Sequence, residues 1–184
     1  KAPAKAEPVC SWTAPAAGNT VTWKAFKFTE KTGVGGGFDT VKVAGAKAAP
    51  EPWKALNGLT FEIDTASVNS KNPERDAKLV ASFFGALTET AAIKGTVKAT
   101  SADAATLTIT MNGASHDVPV KLAKGEGDAL TMSGTLNMDT WGGGPAIAAL
   151  NKVCDDLHKG ADGVSKLWPE VEIGATVALQ KTCK

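Results

Sequence analysis

The chain has 184 residues, 43% hydrophobic and 21% charged, with 20 Lys and Arg against 19 Asp and Glu. That length can carry one sizeable core of its own. A formal charge of +1 lacks the basic excess of a nucleic-acid binder, and no apolar run reaches the roughly 18–20 residues of a membrane-spanning helix.

Residues 1–18 open with KAPAKAEP, a stretch of Ala, Lys and Pro without periodicity. They read as a flexible leader to a single domain over 19–184. Val21–Thr29 starts a strand with Val21, Trp23 and Ala25 on one side. Phe26 and Phe28 fall on the other, which predicts a bulge or two-sided burial. Gly33–Gly37 lacks the G-K-[ST] ending of a phosphate loop and reads as a turn. Phe38–Val43 and Leu59–Thr65 follow as strands. In the second, Phe61 and Ile63 oppose Thr60, Glu62 and Asp64, the period of a half-buried strand.

The pattern then changes. Asn72 suits a helix N-cap and Pro73 the first helical position. Ala77, Val80, Phe83, Phe84 and Leu87 recur at helical spacing. Alternation resumes at Ile93, Gly95, Val97 and Ala99, then at Leu107, Ile109 and Met111. Asn112-Gly113 predicts a type I′ hairpin turn. Val118, Val120 and Leu122 come next, and Leu130, Met132, Gly134, Leu136 and Met138 form the longest alternating face. A second helix begins near Pro145 and carries Ile147, Leu150, Cys154 and Leu157 before Gly160. Val171, Ile173, Ala175, Val177 and Leu179 make the last strand.

About eight alternating strands need one covered face, and closing the sheet removes its exposed edges. The fold class is therefore all-β with two short helices, an eight-stranded antiparallel β-barrel, whose interior can be filled or can hold one small ligand. Small residues (Ala25, Gly95, Ala99, Gly134, Ala175) sit in the middle of several inward faces and point to a hollow. The alternative is a filled barrel serving as a protein-interaction or structural module, with the glycines as corners or bulges.

The three cysteines, Cys10, Cys154 and Cys183, form no CxxC pair, and His116 and His158 lie at no zinc spacing, so no metal is expected. One disulfide plus one odd thiol suits an oxidising compartment. Cys154–Cys183 is the favoured pair, tying the late helix to the last strand. Cys10–Cys183 stays open because barrel ends often meet, as does a set of three unpaired buried thiols. Ser115, His116 and Asp117 are adjacent in a strand and so cannot form a triad on one face. His158 reads as an exposed residue at a helix C-terminus, and Arg75 and Asp76 as anchors of the first helix. No residue set argues for catalysis.

The run LTFEIDTASVNSKNPERDAKLVASFFGAL resembles the signature of the YceI-like, polyisoprenoid-binding family. It carries Phe61, Ile63, Ser67, Val68, Arg75, Asp76, Leu79, Phe83 and Phe84 in the family's strand, R-D-x-x-L and F-F pattern. VTWKAFKFTEKTGVGGGFDTVKV is similar to the family's first hairpin, and LTITMNGASHDVPVKL to a later one. The family's Y-P-x-x-x-F after Phe84 is replaced here by GALTETAAIKGTV, and the end of the chain also differs from the simplest members. The resemblance implies a lipocalin-like barrel around an isoprenoid or other long lipid, and an exported protein of the periplasm or cell envelope, whose removed signal peptide would leave no trace. It implies carriage or sequestration of a polyisoprenoid or isoprenoid quinone, with no cofactor beyond that bound lipid. The candidate lining is Trp23, Phe26, Phe38, Phe61, Ile63, Phe83, Phe84, Val97, Leu107, Ile109, Met111, Leu130, Met132, Leu136, Met138 and Trp141.

Overall fold

A computed structural model describes residues 3–184. Ten of its strands form one antiparallel sheet. In chain order these are β2 (Thr20–Lys27), β3 (Thr32–Phe38), β4 (Val41–Ala44), β5 (Thr60–Asp64), β6 (Val68–Asn69), β7 (Ala92–Ser101), β8 (Ala104–Met111), β9 (Ala114–Lys124), β10 (Leu130–Asn137) and β11 (Glu170–Val177). Their spatial order is β4-β5-β7-β8-β9-β10-β11-β2-β3-β6.

The two end strands are not free edges. β4 continues β3 after Asp39 and Thr40, and β6 continues β5 after the single turn Thr65–Ser67. β3 pairs with β6 through Phe38 and Val68, and β4 pairs with β5 through Val41 and Ile63. Between these ladders the Asp39 amide donates to the Ser67 carbonyl at 2.9 Å and the Asp64 amide to the Thr40 carbonyl at 3.1 Å. The Thr40 amide donates to Ser67 Oγ at 2.9 Å. Counting each bent pair once leaves eight strands in a closed circuit, with β11 joined to β2 through Ile173 and Trp23. Closure satisfies backbone groups that an open sheet would leave unpaired.

The strand faces follow the sequence period. Leu107, Ile109 and Met111 on β8 and Val118, Val120 and Leu122 on β9 are buried, while Thr110, Pro119 and Lys121 are exposed. At the β8–β9 hairpin, Asn112 and Gly113 take φ of 51° and 73°, the two positive values of a type I′ turn. The Asn112 amide nitrogen also donates to the Trp141 carbonyl at 2.6 Å, and its Oδ1 accepts the Thr88 amide at 2.7 Å. The turn residue thereby fastens two neighbouring loops.

Helix α1 (Pro73–Lys78) starts as its caps predict: Asn72 Oδ1 accepts the Arg75 amide at 3.1 Å. Arg75 and Asp76 anchor it through Ser70. The Ser70 amide and Oγ–H donate to Asp76 Oδ1 at 2.9 and 2.6 Å, and Arg75 Nε–H donates to Ser70 Oγ at 2.9 Å. The helix then widens into a π turn over Leu79–Phe83 and tightens over Phe84–Ala86. Ala77, in α1 before this change of pitch, is exposed rather than on the buried face. The second helical segment is split into α2 (Gly144–Val153) and α3 (Asp155–His158), and Leu157 is 59% exposed rather than packed inward.

Three expectations are corrected. The Gly33–Gly37 stretch is not a turn but part of β3. The expected leader over 1–18 contains β1 (Cys10–Thr13), which pairs antiparallel with β12 (Gln180–Cys183) in a separate two-stranded sheet; residues 1–2 of it lie outside the described residues. Within that ribbon Cys10 stands opposite Cys183, and the disulfide joins these two. The favoured Cys154–Cys183 pair is therefore wrong: Cys154 is a buried free thiol at the end of α2. Helix and ribbon are distinct elements, and strand pairing decides which sulfurs meet.

The bridge spans 173 residues of chain. Cys10→Ser with Cys183→Ser is expected to lower the unfolding free energy by about 2–5 kcal/mol, whereas Cys154→Ser leaves the disulfide intact. Denaturant titrations with thiol counting under denaturing conditions check both.

Candidate functional site: an apolar tunnel with two openings

The interior is hollow. A cavity of about 130 Å³, open to solvent on one side, is bordered by residues of β2, β3, β4, β5, β7, β8, β9, β10 and β11. A second, of about 150 Å³, lies under α2 and the π turn after α1. Trp23, Phe38, Ile93, Met111, Leu136 and Ile173 border both. The two lie end to end along the barrel as adjacent sections, with this belt of six residues as their common border.

Most of the candidate lining is on the wall. Phe61, Ile63, Val97, Leu107, Ile109 and Met132 border the first section, Phe83, Phe84 and Met138 the second, and Trp23, Phe38, Met111 and Leu136 both. Three residues are placed elsewhere. Phe26 borders neither section but lies at the rim of the helical end, next to Ala25 and Lys27, where the Lys24 and Lys31 ammonium groups lie 5.7 and 5.4 Å from its ring centre. Trp141 is 3% exposed in a packed corner, where its Nε1–H donates to the Ile109 carbonyl at 3.1 Å and its ring stands edge-on to His116. Leu130 is buried but borders neither section.

Sequence reasoning missed Val21, Val41, Val43, Leu59, Ile93 and Val120 on the first section, and Leu79, Ile147, Leu150 and Leu167 on the second. Val21 and Ile93 were detectable, since each shares strand parity with a residue of the candidate lining. Leu167 was not, because nothing local places an irregular segment over the end of a barrel.

Glycines on the wall admit rings rather than leaving empty space. A Cβ on Gly36 would lie 2.5 Å from Trp23 Cζ2, so the indole lies against bare β3 backbone while its Nε1–H donates to the Gly37 carbonyl at 3.2 Å. Gly95, opposite Phe61 in the β5–β7 ladder, has its Cβ position occupied by the Phe61 ring. The hollow survives because these aromatics lie along the wall instead of across the bore.

The first opening is lateral. β3 pairs with β2 only along Thr22–Lys27, and β4 then turns to β5. This leaves a slot between the start of β2 and β4, with Asn19, Thr20 and Thr22 on one side and Val41 and Val43 on the other. The loop from β1 crosses it: the Val43 amide donates to the Ala16 carbonyl at 3.3 Å. The second opening lies at the helical end, bordered by Lys27, Arg75, Lys78, Leu79, Leu150, Cys154 and His158 among others. It shares Trp23, Ala25, Leu79, Leu150 and Leu167 with the second tunnel section.

At that rim His158 is buried, not exposed as its place near a helix end suggested. Its Nδ1–H donates to Asn151 Oδ1 at 2.8 Å. Burial lowers its pKa from 6.5 to about 4; the Lys27 and Lys78 charges add to this and Asp155 opposes it. Ser115 pairs with Thr110 and Asp117 with Thr108 on the outer wall, and no cluster of potential metal ligands occurs among the described residues.

The family model of the YceI-like domain matches residues 12–179. The chain belongs to the YceI-like family. Among solved structures, it is similar to a polyisoprenoid-binding domain from Saccharophagus degradans, with a TM-score of 0.61 and 13% identity over 94% of this chain and 98% of that one. It is also similar to BcnA of Burkholderia cenocepacia (TM-score 0.57, 15% identity, 91% and 99% covered) and to the Campylobacter jejuni YCEI protein (TM-score 0.53, 18% identity, 86% and 89% covered). No curated protein sequence matches the chain. At these identities the likeness concerns the fold.

Gly36→Ala is expected to destabilise the fold by about 1–3 kcal/mol through the forced shift of Trp23, measured by denaturant titration with Trp fluorescence as the probe. His158 gives a pH signature. It stays neutral in the fold, whereas the unfolded chain takes up a proton below about 6.5. Its contribution is present above that pH and is lost as pH falls toward about 4. The difference in stability between the unmodified chain and His158→Gln is expected to change across that window and to stay flat above it.

Proposed function

We propose that this YceI-like protein binds a long apolar lipid, an isoprenoid, inside the barrel and shields it from water. The observation that carries the reading is the end-to-end placement of two apolar sections that share the belt of Trp23, Phe38, Ile93, Met111, Leu136 and Ile173. A bore extended along the barrel suits a chain better than a compact solute. Each CH₂ moved from water into such a wall contributes about 0.8 kcal/mol, so a long hydrocarbon binds well without polar contacts along its length. The likeness to the Saccharophagus degradans protein, a polyisoprenoid-binding domain, supports the same class of guest.

The role is carriage or sequestration rather than catalysis. The tunnel wall holds no acid, base or nucleophile, and the titratable groups gather at the helical rim. The filled-barrel module is disfavoured by the bore itself. The Cys10–Cys183 disulfide suits an exported protein of an oxidising compartment such as the periplasm, and no helix among the described residues is long and apolar enough to cross a membrane.

Mass spectrometry of an organic extract of the purified protein tests the reading. A long-chain isoprenoid at near one per protein is the expected result, and its absence after expression in a host that makes such lipids would count against it. Ala175→Phe, which places a ring in the first section, is expected to reduce recovery by about tenfold or more while the cooperative unfolding transition persists.

A further inference from the structure

The two openings differ in charge. At the lateral slot the polar groups that border the tunnel are neutral: Asn19, Thr20, Thr22, Thr60 and Thr176. At the helical end the border carries Lys27, Arg75 and Lys78 against one carboxylate, Glu74. None of the three cations takes part in a salt bridge among the described residues; the four pairs found there lie elsewhere. Their contacts leave capacity to spare. Lys27 Nζ donates to the Leu157 carbonyl at 3.1 Å and lies 4.6 Å from the Phe28 ring centre. Arg75 uses Nε on Ser70, and its two terminal nitrogens have no hydrogen-bond partner among the described residues.

All three cations are half-buried. They surround the end of an apolar tunnel, continuous with it through Ala25, Leu79, Leu150 and Leu167. The neighbouring carboxylate of Asp155 does not neutralise them, since Lys159 holds it at 2.9 Å. The positive field reaches the buried His158, whose imidazole is pushed down by the Lys27 and Lys78 charges in addition to burial. An ordinary solvated surface pairs such cations or extends them into water. Here three of them border one of the two openings at which the head of a threaded lipid could emerge.

We propose that the helical opening is an anion-binding subsite for the lipid's head group, formed by Lys27, Arg75 and Lys78, and that the preferred guest carries a phosphate or carboxylate there. This rests on the reading of the tunnel as a lipid site and adds two things to it: the orientation of the guest, with its tail toward the lateral slot, and the sign of its head. Arg75 offers a planar pair of donors suited to two oxygens, while the lysines act as point charges.

The test compares geranylgeraniol with geranylgeranyl monophosphate, two probes with the same tail, titrated into the full chain and followed by quenching of tryptophan fluorescence. The phosphate is expected to bind about tenfold tighter at low salt. That advantage should shrink as ionic strength rises, which needs no variant. Lys27→Ala with Lys78→Ala is expected to bring the two probes to within about twofold by weakening the phosphate alone, and the unchanged alcohol affinity shows that the tunnel is intact. Lys78→Ala by itself, which removes no hydrogen bond to the described residues, should lose an intermediate share. Equal affinities in the unmodified chain, or a preference unaffected by salt and by both variants, would overturn the head-group site while leaving the apolar tunnel standing. Binding of neither probe would remove the tunnel reading as well.

Discussion

Everything in this molecule depends on closing the sheet. Eight strands cannot enclose a space unless the first and last segments find partners, and here the partners are two bent strands. The bends fall at Asp39–Thr40 and at Thr65–Ser67, and they are knitted by the Asp39–Ser67, Asp64–Thr40 and Thr40–Ser67 hydrogen bonds. A straight β3–β4 strand would have to stay on β2 or abandon it. The bend lets one strand serve β2 first and β5 afterwards. The same geometry opens the slot between β2 and β4, so closure and access arise from one feature. Ser67 shows the economy of the joint: its carbonyl, its hydroxyl oxygen and its hydroxyl hydrogen are all engaged there, the last donating to the Asp64 carbonyl at 2.7 Å.

A closed sheet can still collapse on its contents, and large apolar residues usually fill a small barrel. What keeps this one open is the direction its aromatics take. Phe61 lies over Gly95 and Trp23 over Gly36, each ring against a neighbouring strand whose residue lacks a Cβ. The small residues do make the bore possible, but indirectly: they provide berths in which rings can be stored along the wall. Near one end the short turn Trp53–Leu56 brings in the fully buried Leu56, with Leu59 beside it. Packed residues there and in the Trp141 corner stabilise the fold without entering the middle of the tunnel.

These distinctions explain what could be read from the residues. Strand alternation is a local property, and it places Ile63, Val97, Leu107, Ile109 and Met132 on the inner face without any knowledge of pairing. The first helix is legible from Asn72 and Pro73 because capping is local as well. Phe26 is a mixed case: Val21, Trp23 and Ala25 set the inner parity of β2 and keep it out of the bore, yet at the end of the strand it borders the helical opening. The cysteine pairing depends on how the chain ends meet. β1 is only four residues long and follows an Ala–Lys–Pro stretch, so nothing local distinguishes it from a leader. The π turn after α1 is invisible in the sequence because a change of helical pitch follows from packing against α2 and the barrel mouth, not from the composition of Leu79–Phe83.

The two ends of the tunnel also solve different problems with different materials. At the slot, backbone and neutral side chains meet, and the β1 loop spans the gap under the hold of the β1–β12 ribbon and its disulfide. At the helical end the closure is made of side chains from three separate stretches: α1 with its π turn, α2, and Leu167–Trp168. That second closure is anchored by polar contacts outside the tunnel. Ser70 ties α1 to β6, and Trp168 Nε1–H donates to the Phe28 carbonyl at 2.7 Å. Fixing these elements from outside frees their inner faces to remain apolar up to the rim, where the first charges appear. A tunnel of this kind has a greasy body and a charged collar because the groups that hold it together have been moved to its exterior.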